Sequence, residues 1–158
     1  MSPEKPSSKP LIGWREWVAL PGLGVTAIKA KIDTGARTSS LHAFDIEIVR
    51  RRGVEHVQFK VHPYQRNVEK TVECEGLIVD HRTVRSSSGH ETVRPVIVTT
   101  VELMGRQWEI ELTLTARDAM GFRMLLGRGS IKGFLVNPAR SYLVSKGPKR
   151  KRRKKAQG

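Results

Sequence analysis

The chain has 158 residues, of which 38% are apolar and 28% are charged, and its formal net charge at pH 7 is +14. A chain of this length buries about two-thirds of the surface that it exposes when unfolded, which predicts one globular domain. No run approaches the roughly 18 apolar residues of a membrane-spanning helix. One cysteine excludes an internal disulfide and suits a reducing compartment, so we expect a cytoplasmic protein with no membrane contact.

The two ends differ in composition from the rest of the chain. Residues 1–10 are rich in Pro, Ser and Lys and lack the apolar core of a secretory signal, so a disordered leader is expected. Residues 146–158 contain eight Lys and Arg and no acid, which leaves +6 of the +14 for the rest of the chain. Because like charges repel and resist burial, this end is predicted to be a disordered tail, with residues 11–145 as the folded domain.

The basic tail has two interpretations. It is either a solvated segment without a partner or a tether that contacts RNA or the ribosome. The affinity of such a tether would decrease with salt concentration and would not depend on base sequence. The density of charge after Pro148 favours the tether. The residues predicted to contact nucleic acid are Lys149, Arg150, Lys151, Arg152, Arg153, Lys154 and Lys155.

Between these ends the chain consists of short predicted strands. Apolar and polar residues alternate with a period of two, and brief helical turns are predicted at 116–120 and 130–134. Strands about ten residues apart predict a closed or sandwiched all-β domain. The predicted strands cover residues 11–20, 28–33, 43–49, 57–61, 71–75, 77–79, 96–103, 108–114, 124–127, 135–136 and 142–144.

One of these strands ends at Asp33-Thr34-Gly35. Glycine permits a tight turn and a close approach by another chain, so a carboxylate is presented at the end of a rigid strand, as catalytic groups frequently are. The alternative is an ordinary turn in which the Asp33 carboxylate bonds only its own backbone. A second motif is needed to separate these interpretations.

A second motif occurs at Met-Leu-Leu-Gly-Arg, residues 124–128. Together with Lys-Ile-Asp-Thr-Gly-Ala-Arg-Thr-Ser-Ser-Leu-His-Ala, residues 31–43, it resembles the RimB-type bacterial branch of the retropepsin-like aspartic proteases, a branch also called "ATP-dependent zinc protease". The resemblance extends over residues 12–143, and the two motifs are specific only in combination. It implies a retropepsin-like closed β-barrel of six to eight strands with one or two short helices.

The resemblance also implies a mechanism. In an aspartic protease two adjacent carboxylates share a proton and activate a water molecule. This chain has one Asp-Thr-Gly, so the pair implies Asp33 from each of two chains in a homodimer. Thr34 would brace the two turns and Gly35 would leave room for the substrate backbone. No cofactor is implied.

The arginines around the motif depart from the retroviral pattern. There, an acid after Asp-Thr-Gly-Ala pairs with the arginine of the second motif, whereas here those positions are Arg37 and Arg128. Either another acid, such as Asp45 or Asp118, supplies the negative charge that is missing at position 37, or the two guanidinium groups face the cleft and suit an acidic substrate. The RimB-type family is associated with removing oligoglutamate tails from a small-subunit ribosomal protein, opposing an ATP-grasp glutamate ligase. The residues predicted to bind substrate are Lys31, Ala36, Arg37, Arg94 and Arg128.

Two other functions remain open at this stage. The first is a non-catalytic RNA-binding or ribosome-binding β-barrel in which the Asp33 turn is only structural. The second is a zinc-dependent protease, although the five histidines have no His-Glu-x-x-His spacing and no metal ligand is predicted. Cys74 has no basic neighbour in sequence, so a catalytic thiol is not expected.

Two structural questions also stay open. The small-residue tip at 86–89 is either a flap over the cleft or a plain hairpin. The retroviral dimer interface uses both chain termini, but here the basic tail would make that interface self-repelling. A different dimer or a monomer is therefore an alternative.

Overall fold

A computed structural model of the chain describes residues 9–64, 70–85, 88–116 and 121–148. Within these ranges the protein is built from β-strands, with short 3-10 helices at Pro21–Leu23 and Arg128–Ser130, which confirms the predicted all-β class. The strands are β1 (Leu11–Gly13), β2 (Arg15–Leu20), β3 (Val25–Asp33), β4 (Ser39–His42), β5 (Phe44–Arg51), β6 (Val54–Val61), β7 (Val72–Arg85), β8 (Glu91–Leu103), β9 (Arg106–Thr115), β10 (Met124–Gly127) and β11 (Leu135–Asn137).

Six strands close into the predicted barrel. Their order is β2-β3-β10-β4-β9-β8, and the ring closes where Ala19 of β2 pairs with Glu102 of β8. Alternate residues point inward and exclude water, so the apolar face of each strand supplies the core. Fully buried core residues include Ile28, Ala30, Leu41, Ile97, Leu112 and Leu126.

Three strands extend the sheet beyond the barrel. β7 pairs with β8, and β6 and β5 follow it in antiparallel register. We call β5 and β6, with the half of β7 that pairs with β6, the wing. The predicted alternation of β5 is interrupted by a register shift between Phe44 and Glu47, which puts Phe44 and Ile48 on opposite faces of the strand. Ile46 and Ile48 are 37% and 47% exposed.

The order of three barrel strands positions the Asp33 turn. β10 lies between β3 and β4, parallel to β3 and antiparallel to β4. Because β3 and β4 are consecutive in sequence but separated in the sheet, residues 34–38 must cross the end of β10. The Asp-Thr-Gly turn is the start of that crossing.

The two ends of the folded domain are joined to each other. β1 pairs in parallel with β11, and residues 140–147 lie against β2 as a strap. The carboxylate of Glu16, fully buried, accepts hydrogen bonds from the N–H groups of Gly13 (2.6 Å), Leu143 (2.9 Å) and Val144 (3.3 Å) and from the Ser145 hydroxyl (2.6 Å). The strap reaches Gly147, which lies against the Trp17 ring.

Several local predictions are wrong. Residues 142–144 form part of the strap and not a strand, because the Glu16 side chain takes the Leu143 and Val144 N–H groups that a strand partner would bond. The predicted strand over 11–20 is interrupted at Trp14, and the strands predicted at 71–75 and 77–79 are one strand, β7. β4 was not predicted.

The predicted short helices differ in position. The helix expected over 130–134 is wrong: the 3-10 helix ends at Ser130, and a single turn follows in which Phe134 N–H donates to the Ile131 carbonyl (3.0 Å). The turn expected at 116–120, the tip at 86–89, the leader and the tail lie wholly or largely outside the described residues. The described segments contain no helix with the length and hydropathy of a membrane span.

Candidate active site

The Asp33 carboxylate is held by the turn that follows it. Its Oδ1 accepts hydrogen bonds from the N–H groups of Gly35 (3.0 Å) and Ala36 (3.2 Å). This is the self-bonded turn considered from the sequence, but it engages one carboxylate oxygen and leaves Oδ2 without a hydrogen bond among the described residues. Asp33 is half-buried, while Thr34 and Gly35 are exposed. The turn therefore orients the carboxylate and still presents it.

The end of β10 packs against the loop that follows this turn. Gly127 stands beside Asp33 in parallel register, and a Cβ added at Gly127 would collide with the Thr38 carbonyl oxygen. The Gly127 N–H donates to the hydroxyl of Ser39 (3.0 Å), which lies 2.5 Å from the Ser130 hydroxyl. Only glycine allows the crossing loop to pass this close, which explains physically why the two sequence motifs occur together.

Arg128 braces the same loop. Its N–H donates to the Ala36 carbonyl (2.7 Å) and its Nη1 donates to the Gly35 carbonyl (3.2 Å), while the Gly129 N–H donates to the Arg37 carbonyl (3.1 Å). The Arg128 guanidinium thus bonds the Gly35 backbone carbonyl, whereas in the retroviral pattern the corresponding arginine pairs with an acid. Exposed Arg37 lies at the surface of the loop.

Of the two acids proposed to compensate for these arginines, the structure describes only Asp45, and Asp45 is not at the turn. Asp45 lies on the wing, where its carboxylate accepts from Lys60 (3.2 Å). Asp118 lies outside the described residues.

The remaining predicted substrate-binding residues are dispersed. Ala36 and Arg37 belong to the loop itself, and Lys31 lies on β3 two residues before Asp33, opposite Leu125 of β10. Arg94 lies on β8 and pairs across the strands with Arg82 of β7. The structure thus gathers Ala36, Arg37 and Arg128 around Asp33, and it puts Arg94 in a second basic group with Arg82.

A groove of about 510 Å³ lies between the loop and Arg82 of that second group, and Arg94 is not part of its lining. The charged residues that line it are Arg37, Arg82, Glu109, Glu111 and Lys132, of which Arg82 and Lys132 were not predicted from the sequence. Arg82 and Lys132 are about 50 residues apart in the chain, so no local pattern links them. A larger cavity, about 560 Å³, lies on the wing between Asp45, Glu73 and Glu75, away from the Asp33 turn.

Cys74 and His42, the other residues considered as a nucleophile or a ligand, have structural roles. Cys74 is 7% exposed, and burial raises the pKa of its thiol to about 11, which keeps the sulfur protonated and unreactive. The His42 imidazole lies 3.1 Å from the Ala116 carbonyl and 3.2 Å from Arg123 Nη1, which makes it a structural link. Across the described ranges, no three His, Cys, Asp or Glu side chains are grouped so as to hold a metal ion.

Known proteins share this architecture. The structure of a Legionella pneumophila protein of unknown function matches with a TM-score of 0.69 and 27% identity, covering 86% of this chain and 98% of that one. A Shewanella pealeana protein is 47% identical over 138 residues and a Desulfotalea psychrophila protein is 46% identical over 133 residues; both are named "Probable alpha-L-glutamate ligase". These matches cover 87% and 84% of this chain but only 30% and 29% of the two relatives.

The family model described as "Retropepsin-like aspartic endopeptidase RimB" matches residues 11–147. That range starts at β1 and ends where the strap meets Trp17, so it includes every strand of the barrel and the loop that crosses β10. It also contains both motifs, Asp33-Thr34-Gly35 and Leu125-Leu126-Gly127. The chain therefore belongs to the RimB-like family of retropepsin-like aspartic endopeptidases.

Proposed function

We propose that the chain is an aspartic endopeptidase that cleaves acidic, oligoglutamate-type peptides. The observation that carries this proposal is the Asp33 carboxylate at the end of β3, fixed through Oδ1 by two N–H groups and open at Oδ2. In this mechanism two carboxylates share one proton. One removes a proton from the attacking water, and the other donates a proton to the carbonyl oxygen or to the leaving nitrogen.

The second carboxylate is Asp33 of a second copy. One chain contains one Asp-Thr-Gly, and the mechanism needs two acids within hydrogen-bond distance of one water. The two ends of the folded domain already pair within one chain, through β1–β11 and the strap, which supports a dimer formed through the exposed Asp33 face and not through β1 and β11.

The acidic substrate is supported by charge and by the relatives. Arg37 is exposed beside the turn, and arginine binds carboxylates in a fork geometry. The relatives that contain a region similar to this chain are named as probable glutamate ligases. We infer that this chain acts on a glutamate tail made by an ATP-grasp ligase, with the tail of a small-subunit ribosomal protein as the preferred substrate.

The test is cleavage of a synthetic oligoglutamate peptide by the full chain and by Asp33→Asn, which keeps the shape and removes the charge. We expect at least about a 1,000-fold lower kcat with an unchanged melting temperature, because the mechanism has no other acid to replace Asp33. Asp80→Asn is the matched control, since the Asp80 carboxylate also accepts a backbone N–H, from His81 (2.8 Å), away from the turn.

Three results would contradict the proposal. Equal cleavage by Asp33→Asn and the parent chain would assign the reaction to another group. Cleavage that is lost on chelation with EDTA and restored by a divalent ion would favour the zinc-dependent protease. If the parent chain binds RNA but cleaves no peptide, the non-catalytic binding module is the better interpretation.

A further inference from the structure

We infer that the groove beside the Asp33 loop is a subsite for one carboxylate side chain of the peptide substrate, and that Arg82 and Lys132 are its specificity-determining residues. This inference rests on the proposed function, because it assumes that a peptide lies across the Asp33 turn. It adds the side chains that would recognise acidic character at a distance from the reacting bond.

The groove lies directly beside the Asp33 loop. The loop that leaves Asp33 forms one wall of the groove through Arg37, Thr38 and Ser39, and the 3-10 helix after β10 forms another through Gly129 and Ser130. A peptide held at Asp33 would therefore have this groove within reach of a neighbouring side chain. The volume, about 510 Å³, exceeds what one glutamate side chain needs, so the site also accommodates water.

The groove and its surroundings carry positive charge. Arg82 and Arg94 are direct cross-strand partners, an arrangement in which like charges repel and reduce stability. Arg37, Arg94 and Lys132 have no acidic partner among the described residues. The groove lining itself contains three cations, Arg37, Arg82 and Lys132, and two carboxylates, Glu109 and Glu111. A carboxylate delivered by a ligand would neutralise the remaining positive charge.

The Arg82 side chain is already oriented by hydrogen bonds. Its Nη2 donates to Glu111 (2.8 Å) and its Nη1 to the Thr113 hydroxyl (3.2 Å), and its side chain is 30% exposed. The guanidinium is thus already oriented across β9, which lowers the entropy cost of binding a ligand. Glu111 is a competing carboxylate, so removing its charge should strengthen the subsite.

The experiment measures kcat/KM for an oligoglutamate peptide and for a series in which each Glu in turn is replaced by Gln. For the parent chain we expect one position at which the replacement lowers kcat/KM by about tenfold. Arg82→Gln and Lys132→Gln should each lower kcat/KM for the all-Glu peptide and lose most of the discrimination at that position. Glu111→Gln should raise kcat/KM.

Arg51→Gln is the matched control. Arg51 forms an ion pair of the same length with Glu75 (2.8 Å) on the wing, so this variant removes one positive charge without touching the groove. Discrimination that survives in Arg82→Gln and in Lys132→Gln would overturn the inference, as would an equal loss in Arg51→Gln.

Binding separates this inference from the proposed function. Fluorescence anisotropy of a labelled oligoglutamate peptide is measured on Asp33→Asn, with and without Arg82→Gln or Lys132→Gln. If the parent chain cleaves nothing but the peptide binds about tenfold more weakly when either cation is removed, the proposed function fails and the subsite stands. If the parent chain cleaves the peptide but neither Arg82→Gln nor Lys132→Gln weakens peptide binding, only the subsite inference is contradicted.

Discussion

At the scale of single residues, Gly127 determines how closely the Asp33 loop passes over β10. A Cβ at this position would lie 2.7 Å from the Thr38 carbonyl carbon and 2.8 Å from that of Arg37, and both are backbone atoms that cannot rotate away. The loop would have to move as a unit, and the Asp33 turn would move with it.

Gly127→Ala should therefore lower the free energy of unfolding by about 2 kcal/mol and reduce peptide cleavage. Urea denaturation and kcat measure the two effects. Gly133→Ala is the control, because a Cβ at Gly133 would have no atom within 4 Å. Equal effects of the two substitutions would show that the close approach at Gly127 has no special cost.

At this scale the sequence predicts the Asp33 turn but not its surroundings. Asp33, Gly35 and Gly127 are found because tight turns and close approaches require particular residue types within a few positions. Arg82 and Lys132 are missed because their proximity arises from the pairing of β7, β8 and β9 and from the course of the chain after β10. Arg128 belongs to the second sequence motif, but its contact with the Gly35 carbonyl could not be predicted, because that contact requires the folded loop.

At the scale of elements, Glu16 connects both ends of the domain. Its carboxylate accepts three N–H groups and one hydroxyl, from the end of β1 and from the strap. A buried carboxylate is costly unless its oxygens are bonded, and here both are. The strap residue Tyr142 also stacks on Trp17, and the Arg15 guanidinium lies 5.0 Å from the centre of the Tyr142 ring.

Glu16→Gln should lower the free energy of unfolding by about 3 kcal/mol, because an amide nitrogen would face N–H donors that then lose their acceptor. Thermal or urea unfolding measures it. Glu75→Gln on the exposed wing, whose partners are Arg51 and Gln58, should have a smaller effect, because solvent screens an exposed ion pair. A cost for Glu16→Gln no larger than that of Glu75→Gln would contradict the role of Glu16 in joining the two ends.

The element-scale errors of the sequence analysis have physical causes. β4 was missed because Ser39-Ser40-Leu41-His42 has one apolar residue, and its buried Ser39 is retained by the bond to Gly127. β7 was divided at Gly76 because glycine usually marks a break, whereas here a side chain would meet Ile97 at 3.0 Å. Residues 142–144 of the strap have a strand-like apolar pattern, but the Leu143 and Val144 N–H groups donate to the Glu16 carboxylate and not to a strand partner.

At the scale of the whole molecule, barrel closure and joined termini make a self-contained unit with the Asp33 face exposed. The barrel was predictable because period-two alternation recurs along the chain, but its closure depends on the β2–β8 pairing between distant residues. Residues 146 and 147, predicted as part of the basic tail, belong to the strap, so a truncation must spare Gly147.

Removing residues 149–158 should weaken RNA binding and reduce the dependence of log K on log salt by as much as about 5, since seven cations are lost. Filter binding or anisotropy over a salt series measures this slope. Cleavage of a free peptide should be largely unchanged. An unaltered salt slope would rule out the tether.

The central claim is that two copies of Asp33 form one active site, and subunit mixing tests it most directly. Parent chain and Asp33→Asn are mixed in equal amounts, allowed to exchange, and assayed on the oligoglutamate peptide. We predict that activity per parent chain falls by about half, because half of the parent chains then occupy mixed dimers that lack one carboxylate. Activity per parent chain that stays constant at every mixing ratio would contradict the claim and assign the active site to a single chain.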